Sequence, residues 1–532
     1  MNAASPSDSG ARRPNIIVVM VDDMGFSDIG SYGSEISTPA LDQMAEGGMA
    51  FRQMYNCARC CPTRASLLTG LYPHQAGIGG MVNDLGYPAY QGYLNDRCVT
   101  LAEALGAGGY RTFMSGKWHV GGGYNVQRPD TWTPGDPTHP TPVQRGFEEH
   151  FGTLCGAGSY WFPPTLSHND TFLKPERSDF YLTDEISNHA TRMIDRACDE
   201  TPGQPFLMYV AYTAPHWPLH APHGDIEKYR GKYAKGWDAL RTARHEELKA
   251  SGILDPKWPI SPRDPEVPAW DDIPDKDYQD ALMATYAAMV ERMDAGVGSI
   301  LARLKQRGIE ENTLVLFLSD NGGCHEFIRY GSSWADRLQR QTLEGEDVTV
   351  GNAPGVLPGP DSTYQSYNRP WANASNTPFR MHKHWVHEGG IATPLIAYWP
   401  GKIAPGRQTE RLSHVVDIMA TCIEASGAEY PEQYNGKPIT PMAGESFLPT
   451  LMGQVQDTSE RVLYWEHEGN IAVRHGRWKL VQMFERVGEW ELYDMAEDRT
   501  ELDDLSVRKD GEVRRLEKMY NEWADRIGVV PR

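Results

Sequence analysis

The run Asn15-Ile-Ile-Val-Val-Met-Val21 is apolar and β-branched without alternation, the pattern of a strand buried on both faces of a parallel sheet. It stops abruptly at Asp22-Asp23-Met24-Gly25. Comparable runs recur at 206–212 and 313–318, with further strands expected at 110–120 and 396–399. Helical patterns separate them. Thr38-Pro39 opens a helix through Ala45 that Gly47-Gly48 ends, as an N-cap, N1 proline and C-terminal glycine should. A second helix is expected from Pro62 to Leu71. A third follows the capping box Thr100-Leu-Ala-Glu103, and others are expected over 184–197, 278–307 and 415–425. Strands alternating with helices predict an α/β fold with a mostly parallel central sheet covered on both faces.

From Val462 the texture changes to short strands at 463–465, 471–474, 478–481 and 490–493, closed by a helix over 512–527. This predicts a smaller C-terminal antiparallel sheet plus helix. The expected divisions are a polar tail 1–13, a large body 14–461 and an α+β subdomain 462–532. Segments 223–277 and 325–378 are polar and proline-punctuated, and read as insertions and loops over one sheet edge. Loops of that length tend to carry binding function.

Composition narrows the function classes. Forty per cent apolar and 23 per cent charged residues over 532 positions describe a globular chain with a large core. The net charge of −20 argues against a nucleic-acid partner, so positive charge for an anionic ligand must be gathered locally. Met1 to Pro14 has no apolar signal region, and no run of about 18 apolar residues suggests a membrane span. The expectation is a cytoplasmic protein. Eight scattered cysteines do not form a disulfide framework. Cys57-x-x-Cys60-Cys61 lacks the second pair that a zinc site needs.

Cys60-Cys61-Pro62-Thr63-Arg64 places Cys60 and Arg64 one helical turn apart, at a helix start where free N–H groups and the dipole favour an anion. Asp22 and Asp23 end one buried strand. Asp320 and Asn321, in Ser319-Asp-Asn-Gly-Gly323, end another. Sites in open α/β sheets form beyond the carboxyl ends of strands, and four hard oxygen donors there suit Ca²⁺ or Mg²⁺. In Ser115-Gly-Lys-Trp-His119, Lys117 and His119 share a side if the strand persists. His216 follows a strand end in Thr213-Ala-Pro-His-Trp-Pro218, and Lys383 lies in Arg380-Met-His-Lys383. Trp118, Trp217, Tyr160 and Trp161 are candidates for an aromatic wall, with core packing the alternative for at least half of them.

Read together, C-x-P-x-R with L-L-T-G, then G-K-W-H, A-P-H-W-P and S-D-N-G, resembles the type I sulfatases, and specifically the bacterial arylsulfatases of the alkaline phosphatase superfamily. The resemblance covers about residues 14–528. It implies an alkaline phosphatase-like α/β/α sandwich, with 14–461 as a catalytic sulfatase domain acting on aryl or other small organic sulfate monoesters. It implies that a maturation enzyme oxidises Cys60 to Cα-formylglycine; Cys61 adjoins the proline and is out of register. It further implies Ca²⁺, in preference to Mg²⁺, on Asp22, Asp23, Asp320, Asn321 and the formylglycine. Arg64 and Lys117 would hold the formylglycine oxygens, and His119 would act on its hydroxyl. Lys117, His216 and Lys383 would bind sulfate, the last two attending the leaving oxygen through a covalent sulfo-enzyme. Cys57 and Cys61 depart from the pattern as thiols that could compete for oxidation. A phosphonate monoester or phosphodiester hydrolase on the same scaffold is the alternative. A homo-oligomer, with 223–277 as an arm, stays open.

Overall fold

The computed structural model describes residues 13–124, 135–175, 179–330 and 340–530. The expected tail 1–13 lies outside that range except for Arg13. The strands are β1 (Asn15–Val21), β2 (Met49–Tyr55), β3 (Arg111–Gly116), β4 (Glu149–Thr153), β5 (Leu166–His168), β6 (Thr171–Phe172), β7 (Phe206–Ala211) and β8 (Thr313–Ser319). A short pair follows, β9 (Thr349–Val350) with β10 (Thr363–Tyr364), then β11 (Ala392–Tyr398), β12 (Arg407–Thr409) and β13 (Ser413–His414). A second short pair is β14 (Gln433–Tyr434) with β15 (Lys437–Pro438).

The main sheet runs β12-β2-β11-β8-β1-β7-β3-β4-β5-β6, with β13 also on β2. Its centre, β8-β1-β7-β3-β4, is parallel. The expected strand at 396–399 is β11, which starts earlier and runs antiparallel to both β8 and β2. The fold is therefore a mostly parallel mixed sheet of the alkaline phosphatase-like type.

The unbroken apolar runs become strands buried on two sides. Ile17, Val19 and Val21 face one hydrophobic core, and Ile16, Val18 and Met20 face the other. The strand repeat of two divides the run between the two layers. The long helix Lys276–Gln306 packs on the first side. The helix Cys60–Thr69, buried at all ten positions, packs on the second. The capping box is present: Thr100 Oγ1 accepts from Glu103 N at 3.0 Å, and Glu103 Oε2 accepts from Thr100 N at 2.7 Å.

The expected strand at 110–120 ends at Gly116. A Cβ at Gly116 would lie 1.9 Å from Ala211 O, so glycine is required where β3 presses against β7. The chain then turns away, and His119 takes φ 54°. Lys117 and His119 therefore lie beyond the strand rather than on one of its faces. Segment 223–277 also differs from expectation, since it carries the fifteen-residue helix Gly236–Ala250. Arg244 of that helix is buried and pairs with Asp28 at 2.6 Å and Glu35 at 2.8 Å.

The C-terminal sheet, β16 (Val462–His467), β17 (Asn470–His475), β18 (Trp478–Gln482) and β19 (Glu491–Asp494), is a four-stranded antiparallel meander. The helix Asp510–Ile527 packs on it through Leu516, Tyr520 and Trp523. Its tie to the main body is partly apolar, through Leu463, Trp465, Ala472 and Val481 in the shared core, and partly ionic and fully buried. Lys479 Nζ lies 2.9 Å from Glu388 Oε1 and 2.8 Å from Glu501 Oε1, and Arg499 Nε lies 3.1 Å from Glu388 Oε2.

Burial pushes the Glu388 carboxyl up, but Lys479, Arg499 and Arg474 outweigh it and hold it at about 2. The ionised form therefore stabilises the fold fully above the ordinary value of 4.5, and that contribution is lost as pH falls from there through about 2. Glu388→Gln should cost about 3–5 kcal/mol at pH 7, because it strands buried cations. It should also flatten the loss of stability between pH 5 and 3 relative to wild type. Urea titrations at several pH values measure both effects, and an unchanged acid slope would remove Glu388 as its cause.

Candidate active site

Six chain segments meet at the carboxyl edge of the parallel strands. Register alone aligns four of them, because Val21 pairs with Ser319, Met20 with Ala211 and Ala211 with Gly116. The residues that follow these positions are Asp22-Asp23, Asp320-Asn321, Lys117 and the loop to His216. All are buried. The helix carrying Cys60 and the loop carrying Lys383 close the cluster.

The motif helix starts at Cys60, two residues before the expected Pro62, because Arg59 in extended backbone is its N-cap. Cys60 is thus the first helical residue. One turn on, Arg64 Nη2 and Nε donate to Asp320 Oδ2 at 2.8 and 3.2 Å. Nη2 also lies 3.5 Å from Asp22 Oδ2, to which Lys117 Nζ donates as well. Tyr209 OH lies 3.4 Å from Arg64 Nη1. Lys383 Nζ is 2.8 Å from Asp23 Oδ1 and 3.4 Å from His216 Nε2, and that nitrogen is 3.4 Å from Asp23 Oδ2. Every sequence-predicted site residue is in this cluster.

Electrostatics follow from packing so many charges out of water. Burial pushes the Asp22 carboxyl up, yet Lys117, His216 and Arg64 bring it down to about 2. Burial and the neighbouring Asp22 charge push Asp320 up, against Arg64. Burial lowers both His119 and His216, opposed by Cys60 and Asp23 respectively. The neighbouring Cys61 thiol pulls Cys60 well below its ordinary value. Burial opposes this, and His119 and Lys117 reinforce it. Cys61 moves the other way, mainly through burial. Its sulfur lies 3.5 Å from Met81 Sδ. Cys57 is raised to about 12 by burial and donates to Ser66 Oγ at 3.4 Å.

His216 Nδ1 sits 2.5 Å from the carbonyl oxygen of Trp217. A carbonyl only accepts, so Nδ1 carries the proton and Nε2 is the nitrogen exposed to the site.

Asp22 Oδ1 and Asn321 Oδ1 are buried without a hydrogen-bond partner among the described residues, one on each strand end. Asp22, Asp23 and His216 also bring ligand atoms within 4.8 Å of one another. Orphaned hard oxygens beside an over-raised carboxyl fit Ca²⁺ or Mg²⁺, with Asp22, Asp23, Asp320 and Asn321 as the holding residues. A second grouping, Cys60, Cys61 and His119, offers soft donors. It excludes Cys57, unlike the cysteine cluster considered from sequence.

Of the aromatic candidates, only Trp217 faces the site, its ring 4.5 Å from that of His216. Trp118 is core, its Nε1 donating to Pro140 O at 2.8 Å. Tyr160 holds the His216 backbone oxygen at 2.8 Å, and Trp161 donates to Gly359 O at 3.3 Å. Sequence reasoning missed Glu326, which accepts from Trp217 Nε1 and Arg59 Nη2, both at 2.8 Å, and lies 3.8 Å from Lys383 Nζ. Its only sequence signal is its place six residues after Asp320.

Residues 14–428 match the family described as Sulfatase, and residues 379–525 match that described as N-sulphoglucosamine sulphohydrolase, C-terminal. An uncharacterized sulfatase of Schizosaccharomyces pombe is 31% identical over 98% of this chain and 95% of its own. The arylsulfatase of Klebsiella aerogenes is 34% identical over 82% of this chain and 91% of its own. Among solved structures, Ps i-CgsB in complex with k-i-k-neocarrahexaose shares the fold, with TM-score 0.66, 24% identity and coverage of 96% and 93%. Family match, fold and near full-length relatives agree: this chain belongs to the sulfatase family and is a sulfuric ester hydrolase.

Proposed function

We propose that the chain hydrolyses aryl or other small organic sulfate monoesters, with Cys60 as formylglycine providing the nucleophile and Ca²⁺ held by Asp22, Asp23, Asp320 and Asn321. The observation that carries this reading is the place of Cys60. It is the first residue of a buried helix, its sulfur is held well below the ordinary thiol value, and His119 and Lys117 stand beside it. Bound Ca²⁺ supplies charge against sulfate oxygens, and a hydrated formylglycine supplies an attacking oxygen beside a second hydroxyl.

The chain's own residues divide the remaining tasks. Lys117 and Arg64 orient the oxygens on residue 60, and their contacts with Asp22 and Asp320 keep both cations in place. His119, kept neutral by burial, takes the proton from the second hydroxyl. Lys383 neutralises sulfate charge. His216, in the imidazolium form that Asp23 favours against burial, delivers its Nε2 proton to the departing oxygen, its orientation fixed by the Nδ1 bond to the Trp217 carbonyl. The aryl preference rests on the likeness to the Klebsiella aerogenes arylsulfatase and on the Trp217 ring beside His216.

Cys60→Ala should abolish turnover and leave the fold intact, while Cys61→Ala should keep substantial activity. Mass spectrometry across residue 60 of the active protein should show a loss of about 18 Da, as thiol-to-aldehyde conversion requires. Full activity with an unmodified Cys60 would refute the mechanism. Asp22→Ala should lose Ca²⁺ affinity and activity together, measured by calorimetry and assay on one preparation. Retained Ca²⁺ binding would move the metal elsewhere.

His216→Ala distinguishes proton delivery from sulfate binding. A low-pKa phenolate leaves with little help, whereas a poorer leaving group needs its proton in the transition state. The variant should therefore show a steeper dependence of log kcat/KM on leaving-group pKa across a series of aryl sulfates. A uniform fall across the series would make His216 a binding residue.

A further inference from the structure

A second cluster of ligand-type side chains lies outside the site above and shares no residue with it. His384, His467 and Glu468 bring one ring nitrogen or carboxylate oxygen each to within 4.8 Å of the others. His384 Nδ1 is 3.2 Å from Glu468 Oε2, and His467 Nε2 is 3.8 Å from the same oxygen. His467 is completely buried, yet neither ring nitrogen has a hydrogen-bond partner among the described residues. An imidazole left unbonded in the interior is costly, and here Nε2 lies beside the Glu468 carboxylate. His384 and Glu468 are only partly buried, which leaves a path from solvent.

From these contacts we propose that His384, His467 and Glu468 form a site for a first-row transition-metal dication, Zn²⁺ being the best match. Two imidazoles and one carboxylate with an open fourth position make a familiar zinc donor set. The same set is poor for Ca²⁺, which takes oxygen donors. The two sites thus sort ions by donor hardness.

Protonation states are already suited to a metal. Burial lowers His467 to about 3 against the pull of Glu468, so its ring is neutral. His384 beside it holds Glu468 down at about 2. Two further charges face the cluster: Arg59, whose Nη2 is engaged by Glu326 at 2.8 Å, and Glu466, whose carboxylate lies 2.7 Å from His74 Nε2.

The backbone is committed to this arrangement. His467 pairs with Asn470 across a two-residue turn in which Glu468 and Gly469 have φ 51° and 88°. Positive φ at both positions is the type I′ requirement, which favours Asn-Gly. Glutamate is a poor turn former there, and its carboxylate is what the site gains. Asn470 Nδ2 donates to His384 O at 3.2 Å, so the hairpin is already docked on the loop that carries Lys383. A bound metal would staple the C-terminal sheet to that loop.

The test uses full-length protein stripped with chelator, reloaded with Ca²⁺ and titrated with Co²⁺ as a coloured stand-in for Zn²⁺. One Co²⁺ per chain should bind, with visible ligand-field bands and no sulfur charge-transfer band. His384→Ala and Glu468→Asn should each weaken binding by about 100-fold or more, since even outer-shell changes cost 10–100-fold. Zn²⁺ should raise the Tm of wild type but not that of Glu468→Asn. Metal-free Glu468→Asn should melt no lower than metal-free wild type, because asparagine suits the turn; this separates lost ligation from lost folding. Absence of stoichiometric binding in the presence of Ca²⁺ would overturn the proposal. So would binding that survives both substitutions, or a sulfur-ligated Co²⁺ removed by Cys61→Ala.

Discussion

Three carboxylates, Asp22, Asp23 and Asp320, are held out of water at the edge of a parallel sheet, and burial of that charge is what the surrounding structure must answer. An isolated buried carboxylate is prohibitively costly. Each of these has a cation: Lys117 on Asp22, Lys383 on Asp23 and Arg64 on Asp320. The cations come from the end of β3, a distant loop and the Cys60 helix, so satisfying the charges means bringing those segments together. The parallel order β8-β1-β7-β3 achieves this because parallel strands end on the same side. The glycine at 116 lets β3 lie close enough to β7 for Lys117 to reach. The global charge of −20 therefore says little about the site, where positive groups are concentrated by topology.

The same principle fastens the C-terminal sheet. Glu388 precedes β11, while Lys479 and Arg499 come from the C-terminal part of the chain, and all three are fully buried. Tyr55 of β2 donates to Glu388 at 2.8 Å, and Arg474 of β17 donates to Tyr55. An ionic tie is directional where an apolar contact is not, so it fixes how the C-terminal hairpins sit on the main sheet. That placement brings His467 and Glu468 to the loop beside Lys383.

The apolar strands were legible because their sequence records burial directly. β1, β7 and β8 read as continuous hydrophobic runs and are two-sided core strands. β2 and β4 were not legible, since Arg52 and Gln53 interrupt the first and Glu-His begins the second. Those polar groups find partners only in the folded chain, as Arg52 Nε does on Ile253 O at 3.1 Å, and Glu149 on His168 and Arg196. The first half of β11 was hidden by Pro394. Proline breaks a ladder, and the register with β2 shifts just there, between Thr393 and Leu395. The helix Gly236–Ala250 escaped detection because its buried face includes Arg241, Arg244 and His245, a pattern that reads as surface. Catalytic candidates were easier, since short motifs tied to strand ends carry position as well as chemistry. Glu326 had no such tie and emerges only from its contacts with Arg59 and Trp217.

Adding Glu326 changes the charge balance of the site. Four carboxylates, Asp22, Asp23, Asp320 and Glu326, face four cations, Arg59, Arg64, Lys117 and Lys383. With all four carboxylates ionised that inventory is neutral before a ligand arrives, so a sulfate monoester would bring uncompensated negative charge into a buried space. The protein side chains alone answer their own charges and leave little for the substrate. Under the proposed function the missing compensation falls to a dication on the orphaned oxygens of Asp22 and Asn321. With it, Asp320 would lose the Asp22 repulsion that adds to burial in raising it, and Lys117 and Lys383 would be freed from carboxylates to meet sulfate. Unpartnered oxygens and doubly claimed lysines are thus two signs of the same deficit, which metal and substrate together would remove.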